Sequence, residues 1–165
     1  MVRGLRLSTD IHKLLDRREG KSVSEKSNIA DRAALELALE CVRRGANVAF
    51  PVAEKCPYNL VVDSGGKLYR VRAKAAGIHR ASGALVVNAQ KRIPNTSGRG
   101  PSSVAVAYDD SDIDVFAARF ADVWYIFSNP AALPASIRRA AGATQLRSDL
   151  ESAKDAWQVL RLGVP

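Results

Sequence analysis

The feature that most constrains this fold is a strand–turn–strand pattern between residues 58 and 75. Its two arms, YNLVVD and KLYRVRAKA, flank a Ser-Gly-Gly turn at 64–66. Glycine adopts the positive φ angles that a tight turn needs, so the pattern predicts an antiparallel hairpin. Side chains alternate between the two faces of a strand, which places Arg70, Arg72 and Lys74 together on one face of the second arm.

The spacing of apolar residues divides the rest of the chain into predicted helices and strands. Apolar spacing predicts a helix from Ser27 to about Arg44 and a capped amphipathic helix from Ser148 to Gly163. The segment 89–103, rich in Gly, Pro and basic residues, is expected to be a long mobile loop. Short apolar segments predict further strands at 47–51, 84–88, 104–108, 114–121 and 123–127. This order predicts an α/β fold with a mixed central sheet flanked by helices.

We expect one domain with an appended segment. Residues 1–25 are expected to form an N-terminal extension that contains a short helix, and residues 26–165 a single domain. In the longer helix of that domain, Leu35, Leu39 and Val42 are expected to widen the buried apolar side.

The charge balance favours a polyanionic partner. Twenty-five Lys and Arg residues against 17 Asp and Glu give a formal net charge of +8, and each cation that meets a phosphate releases counterions. A protein that is merely basic is the alternative. Cys41 and Cys56 lie in apolar surroundings, so we expect reduced thiols and a cytoplasmic location. The sequence contains neither an apolar segment of about 20 residues nor a secretory signal, so no membrane association is expected.

The order of these segments resembles the PD-(D/E)XK endonuclease-like family, and within it the homing endonucleases associated with group I introns. The resemblance covers residues 26–130. It consists of a helix ended by Gly45, a strand ended by Pro51, the phrase Pro-Tyr-Asn-Leu that contains Asn59, and Arg-Ala-Lys at 72–74. It implies a restriction endonuclease-like core that acts on duplex DNA. In the family an Asp and a Glu or Gln bind Mg²⁺, and a Lys two residues later stabilises the transition state.

The positions that match this catalytic motif are Asn59, Arg72 and Lys74, and two of them depart from it. Asn59 offers one neutral carbonyl oxygen where the family has a carboxylate, which weakens binding of Mg²⁺. Arg72 has no oxygen ligand, and its positive charge repels a metal. Only Lys74 keeps the family identity. The resemblance therefore implies a degenerate active site without a metal cofactor.

Two acids are candidates for displaced metal ligands. Asp63 follows Asn59 by four residues on the same face, roughly 13 Å along the strand, and a role as a turn residue is the simpler interpretation. Glu36 lies on a charged helix face, where partners three and four residues away favour ion pairs. The acidic segment 109–114 lacks the Gly and Glu that a calcium-binding EF-hand loop requires, so we interpret it as a turn before a strand.

Three functions are compatible with these patterns. The first is a DNA-binding protein on a nuclease fold, either a regulator or a structural binder, with duplex DNA favoured over RNA by the resemblance. Its expected contact face comprises Arg70, Arg72, Lys74, His79, Arg80, Lys91, Arg92 and Arg99. The second is an active Mg²⁺-dependent, site-specific DNA endonuclease that uses Asp63, Glu36 and Lys74. The third is an assembly module whose N-terminal helix and last helix, the latter with Trp157, Leu160 and Leu162, pack against another subunit. A homodimer or homotetramer is expected for the duplex-binding functions.

Overall fold

The computed structural model describes four segments of the chain, residues 25–53, 56–96, 102–139 and 148–163. The short helix expected within residues 1–25 and the predicted contact residue Arg99 lie outside the described residues.

Ten strands and four helical segments are present in these four segments. The helices are α1 (Glu25–Arg43) and α2 (Ser148–Ala153), and the 3-10 helices are η1 (Pro130–Ala132) and η2 (Trp157–Leu160). The strands are β1 (Asn47–Ala49), β2 (Leu60–Ser64), β3 (Lys67–Ala75), β4 (Gly77–Ile78), β5 (Leu85–Asn88), β6 (Gln90–Pro94), β7 (Ser103–Ala107), β8 (Val115–Phe120), β9 (Val123–Phe127) and β10 (Ser136–Arg139).

A mixed five-stranded sheet with the order β1-β2-β3-β8-β9 forms the centre of the fold. Strands β2 and β3 form the predicted hairpin, with Leu60 opposite Val71. Its turn uses positive φ at Gly65 (57°) and Gly66 (74°), which glycine adopts without steric cost. The β3–β8 pair is parallel, and the other pairs of this sheet are antiparallel. The predicted α/β fold class with a mixed central sheet is confirmed.

Apolar side chains cover both faces of this sheet. On one face, α1 and η2 pack on alternate residues of the central strands, in a cluster that includes Leu37, Val71 and Ala117. On the other face, a second cluster includes Tyr108 and Phe116. A residue on β3 or β8 therefore belongs to the α1 face or to the opposite face according to its position in the alternation.

Two smaller sheets extend the molecule. Strands β10, β5 and β4 form a three-stranded sheet, and β6 pairs with β7 as a separate two-stranded ribbon. The prediction of a mobile loop over 89–103 was therefore wrong for residues 90–94 and 103, because Gln90–Pro94 pairs with Ser103–Ala107 in antiparallel register. Residues 97–101 of that segment lie outside the described residues. No helix in the described part of the chain is long and apolar enough to cross a membrane.

Helix α1 lies where it was predicted, but fewer of its apolar residues are buried than predicted. Leu37 and Cys41 are fully buried, whereas Leu35, Leu39 and Val42 are 51–59% exposed. The helix packs on the sheet through small residues such as Ala33 and Ala34, so its contact with the sheet is narrow. Burial raises the pKa of the Cys41 thiol to about 12, which keeps this cysteine protonated and unreactive.

The C-terminal segment is not one amphipathic helix. After α2, Asp155 adopts a positive φ of 47°, and its N–H donates to the carbonyl oxygen of Trp124 at 2.8 Å. Trp157, Leu160 and Leu162 are at most 5% exposed because they pack in the core of their own chain. The hypothesis that these side chains pack against another subunit was therefore wrong.

Candidate nucleic-acid interface

The face of β3 that points away from α1 carries the three cations of the hairpin. Tyr69 and Val71 are buried on the α1 side, while Arg70, Arg72 and Lys74 are partly exposed on the other side. This arrangement follows from the alternation of side chains along an extended strand. The three cations lie on one face but differ in their partners.

Asn59 is bound by the backbone of β3. Its Nδ2 donates to the carbonyl oxygen of Ala73 at 3.0 Å, and its Oδ1 accepts from the N–H of Ala73 at 2.8 Å. The side-chain amide thus pairs with both polar groups of Ala73, as a peptide group does in a ladder. An aspartate at this position could accept from the N–H but would also face the Ala73 carbonyl oxygen, so the local structure favours an amide.

Arg72 has no comparable partner. Its Nη1 lies 3.4 Å from the carbonyl oxygen of Pro57, a long hydrogen bond. Its Nε is buried and has no hydrogen-bond partner among the described residues. A buried N–H without an acceptor is energetically costly, and an anion that reached the guanidinium would remove this cost.

Lys74 is a partly buried cation on this face. Its Nζ donates to the carbonyl oxygens of Asn88 and Gln90, both at 2.8 Å, and lies 5.5 Å from the ring centroid of Tyr108. Burial, followed by repulsion from Arg72, lowers the pKa of Lys74 to about 8. Lys74 is therefore a cation at neutral pH that loses its charge in mildly alkaline solution.

Arg70 is neutralised within the chain. Its Nη2 and Nε donate to Asp114 at 2.9 and 3.1 Å, and its Nη2 and Nη1 donate to the carbonyl oxygens of Asp110 and Ser111. The hydrogen bonds to Asp114 raise the pKa of Arg70 and lower that of Asp114. Sequence reasoning placed Asp114 in a turn and missed this pair, because the partners are far apart in the chain.

Lys91 is engaged by the same acidic turn. Its Nζ bonds to Asp112 and lies 3.6 Å from a carboxylate oxygen of Asp109. The hydrogen bond to Asp112 is the main cause that raises the pKa of Lys91. The segment that we predicted to be a turn before a strand is a turn, with the N–H of Ser111 donating to Asp109 at 2.8 Å, and it also binds two of the expected contact residues.

The remaining described contact candidates are exposed. His79 and Arg80 lie in the loop between β4 and β5, where His79 Nδ1 is 3.0 Å from Ser82 Oγ. Arg92 lies on the ribbon, and its Nη1 donates to Ser103 Oγ at 3.3 Å. The structure thus brings Arg72 and Lys74 together and places the other exposed cations on the loop and the ribbon.

The two candidate displaced ligands lie away from Lys74. Glu36 bonds to Arg32 at 2.9 Å and to Arg119; Arg119 shares the α1 face of β8 with Ala117, so Glu36 lies across the sheet from Lys74. Asp63 is exposed near the turn, opposite Leu68.

The side chains at the motif positions do not fit a divalent cation. The amide of Asn59 is bonded to Ala73, and the other two groups are cations. Divalent cations of this hard type need several oxygen ligands, with carboxylates among them. Within the described ranges, no group of three or more His, Cys, Asp or Glu residues is arranged to hold a metal ion.

A cleft of about 330 Å³ opens on the α1 face, beside the ends of β8 and β9. Both of its partly buried arginines have acidic partners: Arg119 bonds to Glu36 and Asp122, and Arg44 lies 3.6 Å from Glu40. Arg44 also stacks 4.1 Å from the ring centroid of Trp157. This cleft lies across the sheet from Lys74, so it is separate from the cationic face of β3.

Comparison with known proteins agrees with this architecture. The fold is similar to that of a bacterial homing endonuclease, I-Ssp6803I, with a TM-score of 0.70 and 20% sequence identity over 82% of this chain and 93% of that chain. No curated protein sequence matches this chain. The model of the PD-(D/E)XK endonuclease family matches residues 24–157. The resemblance predicted from the sequence is therefore confirmed, and this chain belongs to the PD-(D/E)XK endonuclease family.

Proposed function

We propose that this protein binds duplex DNA through the face of β3 that carries Arg72 and Lys74, and that it does not cleave the DNA there. It acts as a site-occupying regulator or as a structural DNA binder. Its family membership supports a nucleic-acid partner, and its fold resembles that of a homing endonuclease.

The single observation that carries this proposal is the contrast between Asn59 and Arg72. The amide of Asn59 is held by Ala73, while the buried Nε of Arg72 has no acceptor among the residues that the structure describes. A carboxylate site repels a phosphate unless a metal ion lies between them. An Arg beside a Lys attracts the phosphate directly, and a guanidinium can donate two parallel hydrogen bonds to it.

The contact face that we propose is smaller than the set of cations expected from the sequence. Arg70 and Lys91 already bind acidic side chains, so each contributes little net attraction for DNA. The proposed DNA contacts are made by Arg72, Lys74, Arg80 and Arg92, with His79 beside Arg80. Of these, Arg72, Lys74 and Arg80 contact phosphate. Arg99, outside the described residues, remains a predicted contact.

We also propose duplex DNA in preference to RNA, and a homodimer or homotetramer in preference to a monomer. The preference for duplex DNA rests on the similarity of the fold to the homing endonuclease named above. The preference for an assembly rests on symmetry, because two strands of a duplex present related sites that a two-fold assembly contacts equally. Light scattering of the purified full chain, alone and with DNA, tests the assembly.

A binding titration without divalent ions tests the proposed function. The full chain is titrated into a fluorescent random-sequence duplex of about 30 bp in EDTA, over a series of salt concentrations. Binding is expected, with a slope of log K against log salt of about −2.7 for three phosphate contacts. The same protein is then incubated with supercoiled plasmid and Mg²⁺ or Mn²⁺, where no nicking is expected.

Two results would contradict the proposal. Plasmid cleavage that disappears in Lys74→Ala would identify an active endonuclease with displaced ligands, the alternative function considered from the sequence. Absence of duplex binding at about 0.05 M salt would remove DNA as the partner, because electrostatic contacts are strongest there. Isothermal calorimetry with Mg²⁺ provides an independent test, and no heat of binding is expected.

A further inference from the structure

The ribbon of β6 and β7 differs from the rest of the molecule in its exposure. Its two strands pair over five positions, from Gln90 opposite Ala107 to Pro94 opposite Ser103. Most of its ten residues are exposed, including Arg92 and Ala105. Outside the base of the ribbon, its side chains therefore project into solvent instead of packing on the domain.

The two faces of the ribbon have different chemistry. Directly opposite residues share a face in an antiparallel pair. One face carries Lys91, Ile93, Val104 and Val106, and Lys91 turns it toward the domain by bonding to Asp112. The other face combines two long polar side chains and a proline on β6 with small residues on β7, namely Gln90, Arg92 and Pro94 with Ser103, Ala105 and Ala107.

We infer that this second face of the ribbon enters the major groove of DNA and that Arg92 and Gln90 contact base edges there. The inference rests on the proposed function and adds sequence readout to it. A major groove about 12 Å wide admits a two-stranded β-ribbon. Five residue pairs span roughly 17 Å of strand, which is long enough to cross the groove.

The side chains on this face suit base recognition. Arg pairs in bidentate fashion with O6 and N7 of guanine, and Gln with N6 and N7 of adenine. The small side chains of Ala105 and Ala107 let the backbone of the ribbon approach the bases closely. The hydrogen bond from Arg92 Nη1 to Ser103 Oγ orients the guanidinium along the ribbon and leaves its other donors for a base.

The ribbon begins beside the proposed phosphate-binding pair. Lys74 Nζ donates to the carbonyl oxygen of Gln90, the first residue of β6, so the base of the ribbon is tied to β3. A phosphate held by Arg72 and Lys74 therefore lies next to the groove that the ribbon enters. In this arrangement β3 supplies affinity that is independent of sequence, and the ribbon supplies specificity.

Selection from a random duplex pool tests the inference. The full-length chain and its Arg92→Ala variant are each used to enrich binding sites, and affinity for the enriched site is then compared with affinity for the random pool. The wild type is expected to enrich a defined site that contains guanine. Arg92→Ala is expected to lose about 10- to 100-fold of the discrimination at that guanine, with affinity for the random pool reduced less than about 5-fold.

The matched control is Arg138→Ala, which removes an exposed arginine from β10 and should keep the wild-type site and discrimination. An enriched site that is identical for wild type and Arg92→Ala would overturn the inference. Wild-type binding to the random pool without any enrichment would also overturn it while leaving the proposed function intact. Failure to bind the random pool at all would contradict the proposed function itself.

Discussion

The two ends of the polar face of β3 carry similar cations in opposite circumstances. At the turn end, Arg70 donates to both carboxylate oxygens of Asp114 and to two carbonyl oxygens. At the other end, neither Arg72 nor Lys74 forms a salt bridge with any described carboxylate, and the Nε of Arg72 has no hydrogen-bond partner in the same residues.

This difference separates a stabilising cation from a binding cation. A guanidinium whose donors are satisfied inside the protein gains little from a phosphate, because the new contact must replace existing ones. The guanidinium of Arg72 forms one long hydrogen bond, to Pro57, so a phosphate that contacts its terminal nitrogens replaces little. Arg70 is thus expected to act on stability and Arg72 on DNA affinity, although the two residues are adjacent on one face of one strand.

Charge reversal at the end of β3 without salt bridges to described carboxylates, at Arg72 and Lys74, gives the largest expected effect. Arg72→Glu with Lys74→Glu replaces two phosphate contacts by two repulsions, and duplex affinity should fall at least about 100-fold at 0.1 M salt. Fluorescence anisotropy with the random duplex measures the change. The matched control is Arg32→Glu with Arg43→Glu on α1, which alters net charge equally at exposed positions. If both double variants lose the same affinity, net charge and not the β3 face binds DNA.

Removal of Arg70 should affect stability instead. Arg70→Ala removes the guanidinium from the partly buried Asp114 and leaves it the backbone N–H of residue 70 as a donor, so we expect a loss of about 1–2 kcal/mol in the free energy of unfolding. DNA affinity should change less than about 2-fold. Urea denaturation and anisotropy measure the two quantities. The comparison between the two ends breaks down if Arg70→Ala weakens DNA binding as much as Arg72→Ala does.

An acidic residue at position 59 should place a carboxylate near Arg72, as Asp114 lies near Arg70. Asn59→Asp replaces the amide beside Ala73 by a carboxylate near Arg72, so we expect about a 5-fold loss of duplex affinity and a loss of about 1 kcal/mol of stability. Asn47→Asp is the control, since it adds the same charge at an exposed position on β1. An unchanged affinity in Asn59→Asp would show that Arg72 does not contact phosphate.

The smallest expected effect is a pH dependence from Lys74. Because its pKa is about 8, Lys74 loses its charge between pH 7 and 9, and duplex affinity should fall about 3-fold over this range. Lys74→Arg stays charged and should show a flat profile. A wild-type profile that is equally flat would exclude Lys74 as a phosphate contact.

The same lowered pKa has a consequence for the unliganded protein. The unfolded chain has a lysine pKa of about 10.4, so the unfolded state binds more protons than the folded state between pH 8 and that value. The cost of burying the Lys74 ammonium is therefore fully present below pH 8, and it decreases as the pH rises toward 10.4.

Much of the fold could be predicted from local patterns. The alternation in β3 placed its cations on one face, and the glycines placed the turn, because both depend on residues that are close in sequence. The long helix was placed within two residues at its N-terminus. The exposure of Leu35 and Leu39 could not be predicted. Helical spacing identifies the apolar side of a helix, but it does not show how much of that side the sheet covers.

The errors occurred where distant segments meet. The segment 89–103 has the glycines and prolines of a loop, but its first part, Gln90–Pro94, pairs with β7 as a strand, which satisfies its backbone. The C-terminal segment has helical spacing, but its backbone instead pairs with the free edge of β9, through Asp155 and the bridge between Tyr125 and Lys154. In both places hydrogen bonds between distant segments outweigh local propensity.

The sequence by itself determined the hairpin, the family and the identity of the residues at the motif positions, because each of these is written in short segments. Only the tertiary structure decided which cation is neutralised. Asp114 lies 44 residues from Arg70 along the chain, and the parallel pairing of β3 with β8 brings the two together. Electrostatic pairing depends on distance in space, so which cation is neutralised is a property of the folded chain.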